Sequence, residues 1–200
     1  MKKLIIIIVG LPVLFYTLLG LYFFVIPFVF HSSVIPSATL HYKLTLVVDD
    51  NGKQVTGSSI VEVSRQDTAK YFGSFGGYGY DFKGEATVVD LLEKGVLFAL
   101  LKDNNSGVGL PPYFIIHAFP SYFSGLGSSN VVNEMRELNN VRPRAKTDLA
   151  FDKIPMLVRF RDINDPKTVE IVDPNDLEKT FGKGVKLVSA TIEMTDEGVT

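Results

Sequence analysis

Cysteine and tryptophan are both absent from the 200-residue chain. Without a thiol, the protein forms no disulfide bond, no zinc–thiolate site and no cysteine nucleophile. Histidine is scarce as well, because the chain contains only His31, His41 and His117. A catalytic zinc site needs two or three histidines at ligand spacing, and these three are too widely separated. We therefore predict no metal site and interpret His117 as a core or turn residue, with a catalytic base as the alternative.

An excess of positive charge is also lacking, since 20 Lys+Arg face 22 Asp+Glu. Lys2 and Lys3 are the only charged residues among the first 30, so residues 31–200 hold 18 basic and 22 acidic side chains, a net charge of -4. A nucleic-acid-binding surface needs clustered Lys and Arg to neutralise phosphates. The sequence therefore predicts no nucleic-acid partner, and its length suits one domain behind a hydrophobic segment.

The sequence motifs of several common enzyme sites are missing too. There is no G-x-S-x-G nucleophile elbow, no phosphate-binding GxxxxGK[ST] loop and no complete dinucleotide fingerprint. Asp162, Asp165, Asp173 and Asp176 lie close in sequence, but Pro166 and the residue after it break the pattern of a calcium loop. Turns and helix caps explain these aspartates, so we expect no catalytic residue, no cofactor and no metal ion.

The longest hydrophobic run extends from Leu4 to Phe30 and contains no charged residue in its 27 positions. A bilayer's hydrocarbon core is ~30 Å thick and is crossed by ~20 apolar residues in a helix. Inside lipid, every backbone group must be bonded within the segment, which favours a helix. The run predicts a single-pass, uncleaved anchor within residues 1–30, followed by a juxtamembrane linker at residues 31–39.

Flanking charges predict the orientation of this anchor. Lys2 and Lys3 precede it, so the positive-inside rule puts the N-terminus in the cytoplasm and the C-terminal domain on the far side of the membrane. A cleaved signal peptide is one alternative, but its hydrophobic region is normally ~7–15 residues long. The nearest candidate cleavage site, residues 35–38, has Pro36 beside the cut. A buried core helix is the other alternative, although such helices rarely stay apolar on every side.

Residues 40–200 carry the patterns of an extracytoplasmic domain that is rich in β-strands. Alternating apolar and polar residues predict three strand pairs and a last strand: 42–48 with 55–64, 86–92 with 96–101, 156–160 with 168–172, and 185–194. Asn51-Gly52 is typical of a tight hairpin turn. Residues 96–101 are apolar at nearly every position, which predicts burial on both faces. Near Leu187 and Val188 the alternation shifts, which indicates a β-bulge or burial on both faces.

Two short helices are predicted between and after these strands. Apolar residues at helical spacing predict one at residues 128–141, capped by Ser128 or Ser129. The second, at residues 173–182, has Asp173 as its N-cap. Hairpin connections dominate, so we predict an α+β fold with a mostly antiparallel sheet of about seven strands and two or three short helices.

An aromatic and glycine-rich segment, residues 71–82, is the most unusual part of the domain. Aromatic side chains supply large contact area at low entropic cost, and the segment's only charge is Asp81. Two interpretations are open. The aromatic side chains fold back onto the sheet, or the segment is a contact loop for a protein partner, a glycan or a membrane surface. A second apolar run, residues 110–123, is predicted to be buried or to contact a partner. The candidate contact residues of the loop are Tyr71, Phe72, Phe75, Tyr78, Tyr80 and Phe82.

Three stretches of the exported domain resemble uncharacterised single-pass, membrane-anchored bacterial proteins: GSSIVEV at 57–63, MLVRF at 156–160 and VEIVDP at 169–174. The resemblance implies no activity and no functional residue, but it favours a bacterial inner membrane. We therefore predict a membrane-tethered, non-enzymatic domain that binds a partner or serves as an accessory subunit. An anchored, hydrolase-like enzyme with an atypical site and a small-ligand binding module are the alternatives. A deep polar pocket would favour the enzyme, and an exposed apolar patch would favour the partner-binding protein.

Overall fold

The computed structural model describes residues 16–21, 35–68, 77–103 and 111–200. The chain forms two compact units, Met1–Ile35 and Pro36–Thr200. In the first unit, the described residues 16–20 are α-helical. The rest of the predicted anchor, residues 4–15 and 22–30, lies outside the described residues. Among the residues that are described, no helix is both long and apolar enough to cross a membrane.

The first predicted hairpin is confirmed, with longer strands than the sequence pattern suggests. β1 (Ser37–Asp50) pairs with β2 (Lys53–Asp67) along its whole length. Asn51 and Gly52 turn the chain with φ angles of 54° and 88°, the left-handed conformation that this residue pair favours. β1 begins at Ser37, three residues before the predicted start of the domain, because the alternation of buried and exposed side chains already begins there.

Two strands of the domain were not predicted. β3 (Tyr78–Lys83) pairs with β2, although the sequence indicated a loop through Phe82. β6 (Lys146–Asp148) is polar and pairs with the C-terminal strand β9 (Val185–Thr195). Both lie at the edges of sheet A, whose strand order is β3-β2-β1-β9-β6. Edge strands need no alternating apolar pattern, since their stability comes from pairing with one neighbour, and this explains why the sequence did not reveal them.

The other two predicted strand pairs form a second sheet, sheet B, with the order β4-β5-β7-β8. Its strands are β4 (Thr87–Asp90), β5 (Val96–Asp103), β7 (Pro155–Phe160) and β8 (Val169–Ile171). Every strand pair in both sheets is antiparallel. The described residues thus form nine strands in two sheets rather than seven in one, and the α+β class with antiparallel pairing is confirmed.

The helices are few and short: α1 (Pro111–Ala118), α2 (Val131–Asn140) and α3 (Glu178–Phe181). The helix predicted at 128–141 is confirmed as α2, but Asn130 occupies its N-cap position, and the prediction of Ser128 or Ser129 is wrong. The helix predicted at 173–182 is reduced to the four residues of α3. The preceding residues form turns instead, in which Asp173 accepts a hydrogen bond from the N–H of Asn175 at 2.9 Å.

A β-bulge in β9 accounts for the shift in apolar alternation. Val47 of β1 pairs with Ser189, but its neighbour Val48 pairs with Leu187, so Val188 has no partner opposite it. Leu187 is buried, and the side chain of Val188 is exposed. The extra residue restores the buried face of β9, which confirms the bulge that the sequence offered as one of two explanations.

One face of sheet A carries most of the core. Near Leu46 and Gly57 it is covered by β4 of sheet B, and near Leu40 and Val63 it is covered by α1 and α2. Gly57 is required for the first contact, because a Cβ atom at this position would overlap the carbonyl group of Val88. The close approach of β2 and β4 therefore depends on a residue without a side chain.

Candidate interaction surface

The predicted contact loop divides between described and undescribed residues. Tyr71, Phe72 and Phe75 lie outside the residues that the structure describes, whereas Tyr78, Tyr80 and Phe82 lie on β3. Tyr80 and Phe82 are partly buried and pack against the core, and Tyr78 is 49% exposed. The described half of the segment thus folds back onto the domain, and Tyr78 is the residue that keeps substantial exposed area.

The tyrosines of β3 pack around a buried arginine. Arg65 is only 1% exposed. Its Nε donates to Asp67 at 2.7 Å, and its Nη1 donates to the Tyr80 hydroxyl at 2.9 Å. The guanidinium carbon also lies 4.3 Å from the centre of the Tyr78 ring, a cation–π contact. Burial alone lowers the pKa of Arg65, but the hydrogen bonds that it donates to Asp67 and Tyr80 outweigh that effect and raise its pKa.

Arg65 also binds the loop that precedes α2. Nη1 donates to the carbonyl of Leu126 at 2.7 Å, and Nη2 donates to the carbonyl of Ser128 at 2.9 Å. Glu134, the only buried acidic side chain among the described residues, holds the same loop by accepting bonds from Ser124. These groups serve the fold, because their bonds join β2, β3, α2 and the loop before α2 to one another. None of this was predicted from the sequence, where Arg65 lies within an otherwise ordinary strand.

The outer face of sheet B is apolar in every strand. Strand register puts Val88, Phe98, Val158 and Ile171 in one row across the four strands. The next row contains Val96, Phe160 and Val169, with Asp90 of β4 as its only polar member. Directly opposite residues of an antiparallel pair share a face, so these side chains form one surface. We call it the apolar face: Val88, Val96, Phe98, Val158, Phe160, Val169 and Ile171.

Within the described parts of the chain, no further layer of structure covers this surface. Ile171 is 66% exposed, and Val88 and Val169 are also exposed. Val158, at the centre, is buried, while the rings of Phe98 and Phe160 pack edge to face at 5.6 Å and are half-buried. The inner face of the same sheet is covered, with Leu97, Ala99 and Leu157 in the core. The prediction that residues 96–101 are buried on both faces is therefore wrong for the outer face.

Two exposed apolar turn residues extend the apolar face at one end. Leu92 lies in the β4–β5 turn and is 71% exposed, and Ile163 lies in the β7–β8 turn and is 63% exposed. Because β5 and β7 are antiparallel, the start of β5 and the end of β7 meet at the same end of the sheet, and so do these turns. Leu92 has a φ angle of 57°, a conformation that a bulky residue rarely adopts.

The residues with catalytic potential show no assembled site. His117 lies exposed at the end of α1, against the expectation of a core or turn position. Asp162, Asp165 and Asp173 accept hydrogen bonds from backbone N–H groups of their own turns, as predicted. Among the described residues, no three His, Cys, Asp or Glu side chains are grouped closely enough to hold a metal ion.

One cavity between sheet A and the helices is too small for a ligand. It is lined by Leu40, Tyr80, Ile115 and Met135, among others, and its volume is about 10 Å³. That is about the space of a single water molecule. The chain matches no protein-family model, and no curated protein or solved structure is significantly similar to it.

Proposed function

We propose that this chain is a membrane-tethered extracytoplasmic domain that binds a protein partner, or acts as an accessory subunit, without catalysing a reaction. The observation that carries the proposal is the apolar face of sheet B. Burying apolar surface is favourable by ~25 cal/mol per Å², and large exposed patches on folded domains mark interaction sites. A partner that covers this face would gain that free energy.

The tether in this proposal is the uncharged run from Leu4 to Phe30. It supports a single-pass anchor in the inner membrane of a bacterium, with Lys2 and Lys3 in the cytoplasm and the domain in the periplasm. The net charge of -4 over residues 31–200 supports a partner other than nucleic acid. The aromatic segment, residues 71–82, remains a second candidate surface, since Tyr78 is half exposed.

Topology is tested by adding protease to spheroplasts that express the full-length chain. We expect residues 36–200 to be digested and the protein to begin at or near Met1. A mature N-terminus near Thr39 would show that the segment is a cleaved signal peptide. Protection of the domain in intact spheroplasts, with digestion only after lysis, would show that the orientation is opposite.

Partner binding is tested by native gel electrophoresis of the full-length chain, extracted from its own membranes with a mild detergent. We expect a discrete complex that is larger than the chain and its detergent. The matched variant is Ile171→Ser, which removes an exposed part of the apolar face, and we expect the complex to dissociate. A wild-type chain that migrates alone at every detergent concentration would contradict the partner-binding function.

A further inference from the structure

We propose that the apolar face binds an amphipathic segment of a partner protein that carries Lys or Arg beside its apolar side chains. This inference rests on the proposed partner-binding function and specifies the surface and the chemistry of the partner.

The dimensions of the apolar face suit one secondary-structure element. Four strands at ~4.8 Å spacing are about 14 Å across, and an α-helix with its side chains is ~10–12 Å wide. The row from Val88 to Ile171 supplies contact across this width. Beyond Ile171 the surface continues into an open groove of about 400 Å³ lined by Phe151 and Pro174. An extended apolar surface of this width fits the apolar side of a helix or strand.

Carboxylates border this surface at its turn end. Asp90, Glu93, Asp162 and Asp165 have no ion-pair partner within the described parts of the chain. In the same two turns, Lys94 is paired with Asp50 and Arg161 with Glu170. Lys167 is the one basic side chain there without a partner among those residues. The remaining charge is thus mostly negative.

The groove at the opposite end adds less negative charge. Asp152 and Asp173 lie in its lining beside the apolar side chains of Phe151 and Pro174, but Asp152 is paired with Lys153. A basic segment would therefore meet complementary charge mainly at the turn end of the apolar face, which favours association and fixes orientation. A second copy of this chain would bring two acidic borders together, and an anionic lipid surface would repel them. Charge complementarity therefore favours a basic partner over both.

The turn end of the apolar face lies at the far end of the domain from Ser37. The 14 residues of β1 span about 43 Å at ~3.3 Å per residue, from Ser37 to Asp50. Asp50 is bonded to Lys94 in the β4–β5 turn, so that turn lies at the end of β1 remote from Ser37. Leu92 and Ile163 are therefore far along the domain from the point where it joins the preceding residues.

The test is site-specific photocrosslinking of the full-length chain in cells of its native host. A benzophenone amino acid replaces Ile171 or Leu92 on the proposed surface, Tyr78 on the aromatic segment, or Ser58 on the outer face of sheet A. Ser58 is the control, because its side chain is exposed on a polar face. Crosslinked peptides are identified by mass spectrometry, which gives the composition of the contacting segment.

We expect crosslinks from positions 171 and 92 to one partner segment that contains apolar residues and Lys or Arg, and none from position 58. Glu93→Lys should lower the crosslink yield at position 171 about threefold, because it reverses a border charge. Glu137→Lys, on the exposed side of α2, makes the same charge change elsewhere and should leave the yield unchanged. An equal effect of both variants would overturn the role of the acidic border.

Other outcomes separate this inference from the proposed function. Crosslinks at positions 171 and 92 to a second copy of the chain, to lipid or to a segment without basic residues would show that the apolar face does not bind a basic partner segment. Crosslinks to a partner at position 78 alone would overturn the surface but leave partner binding intact. The absence of crosslinks at all four positions would overturn both.

Discussion

The outer faces of the two sheets differ sharply in composition. On sheet A, strand register brings polar and charged side chains together, as in the row of His41, Glu62 and Lys83. Glu62 accepts from Lys83 at 2.8 Å and lies 3.1 Å from the ring Nε2 of His41. On sheet B, the equivalent positions are the apolar face. Sheet A therefore has the usual pattern of one apolar, buried face and one polar, solvated face, whereas the outer face of sheet B is mostly apolar.

The composition of a strand does not by itself show whether both of its faces are covered. β5 has the sequence of a strand buried on both sides, but only its inner positions, Leu97 and Ala99, are fully buried. The inner positions of β5 thus serve the fold, whereas its outer positions Val96 and Phe98 are only partly buried and keep some area available for contact.

Substitution of one isoleucine in each sheet compares how much the inner face of sheet A and the apolar face of sheet B stabilise the fold. Ile192 lies on the inner face of sheet A and is 0% exposed, whereas Ile171 belongs to the apolar face. Ile192→Ala should lower the free energy of unfolding by about 4 kcal/mol, because it leaves a cavity. Ile171→Ala should change it by no more than ~0.5 kcal/mol. Urea unfolding of residues 36–200, which we expect to be cooperative, measures both, and similar losses would show that the apolar face is part of the core.

Gly57 tests the contact between the inner faces of the two sheets. Gly57→Ala should lower the free energy of unfolding by about 3 kcal/mol, since the added methyl group would overlap the backbone of Val88 and force the strands apart. Gly79→Ala is the matched control, because nothing lies within 4 Å of a Cβ atom at that position of β3. Thermal unfolding of both variants gives the comparison, and equal melting temperatures would contradict the close approach of β2 and β4.

Tyr80 and Tyr78 test how much of the aromatic segment belongs to the fold. Tyr80→Phe removes the hydroxyl that accepts from Arg65 and donates to the Leu126 carbonyl, and it should destabilise the domain by about 1–2 kcal/mol. Tyr78→Phe keeps the ring over Arg65 and should cost less than ~0.5 kcal/mol. Chemical denaturation distinguishes them. If Tyr80→Phe does not lower the free energy of unfolding, the whole segment would be free to act as a contact loop.

The polar face of sheet A should contribute a small acid-dependent term to stability. The hydrogen bond from Lys83, followed by that from His41, lowers the pKa of Glu62 below its ordinary value. A carboxylate whose pKa is lowered in the folded state stabilises that state above its unfolded pKa, and this contribution is lost as the pH falls through the folded pKa. Urea unfolding between pH 7 and pH 3 should therefore show a shallower loss of stability for Glu62→Gln than for the wild type. Parallel curves would remove Glu62 as a source of the acid dependence.

Tertiary contacts explain most of what the sequence did not reveal about the candidate surface. Phe98 was predicted to be buried because its neighbours in sequence are apolar, but its exposure depends on what covers sheet B from outside. Tyr80 was assigned to a contact loop because its neighbours are aromatic and glycine residues. Its burial depends on Arg65 and Leu126, which are 15 and 46 residues away in sequence. Neither position carries a local signal for these distant contacts.

Some elements follow directly from the sequence, because they depend on interactions between residues that are close along the chain. Asn51-Gly52 adopts positive φ angles at low steric cost, the bulge at Val188 keeps β9 in phase with its buried face, and Asp173 bonds to a backbone group two residues away. Long-range packing, in contrast, divides the strands into two sheets, brings the sheets together at Gly57, and leaves one apolar face uncovered by the described residues. Turn and cap preferences depend on residues a few positions apart in sequence. Coverage of a sheet face depends on residues far apart in the chain.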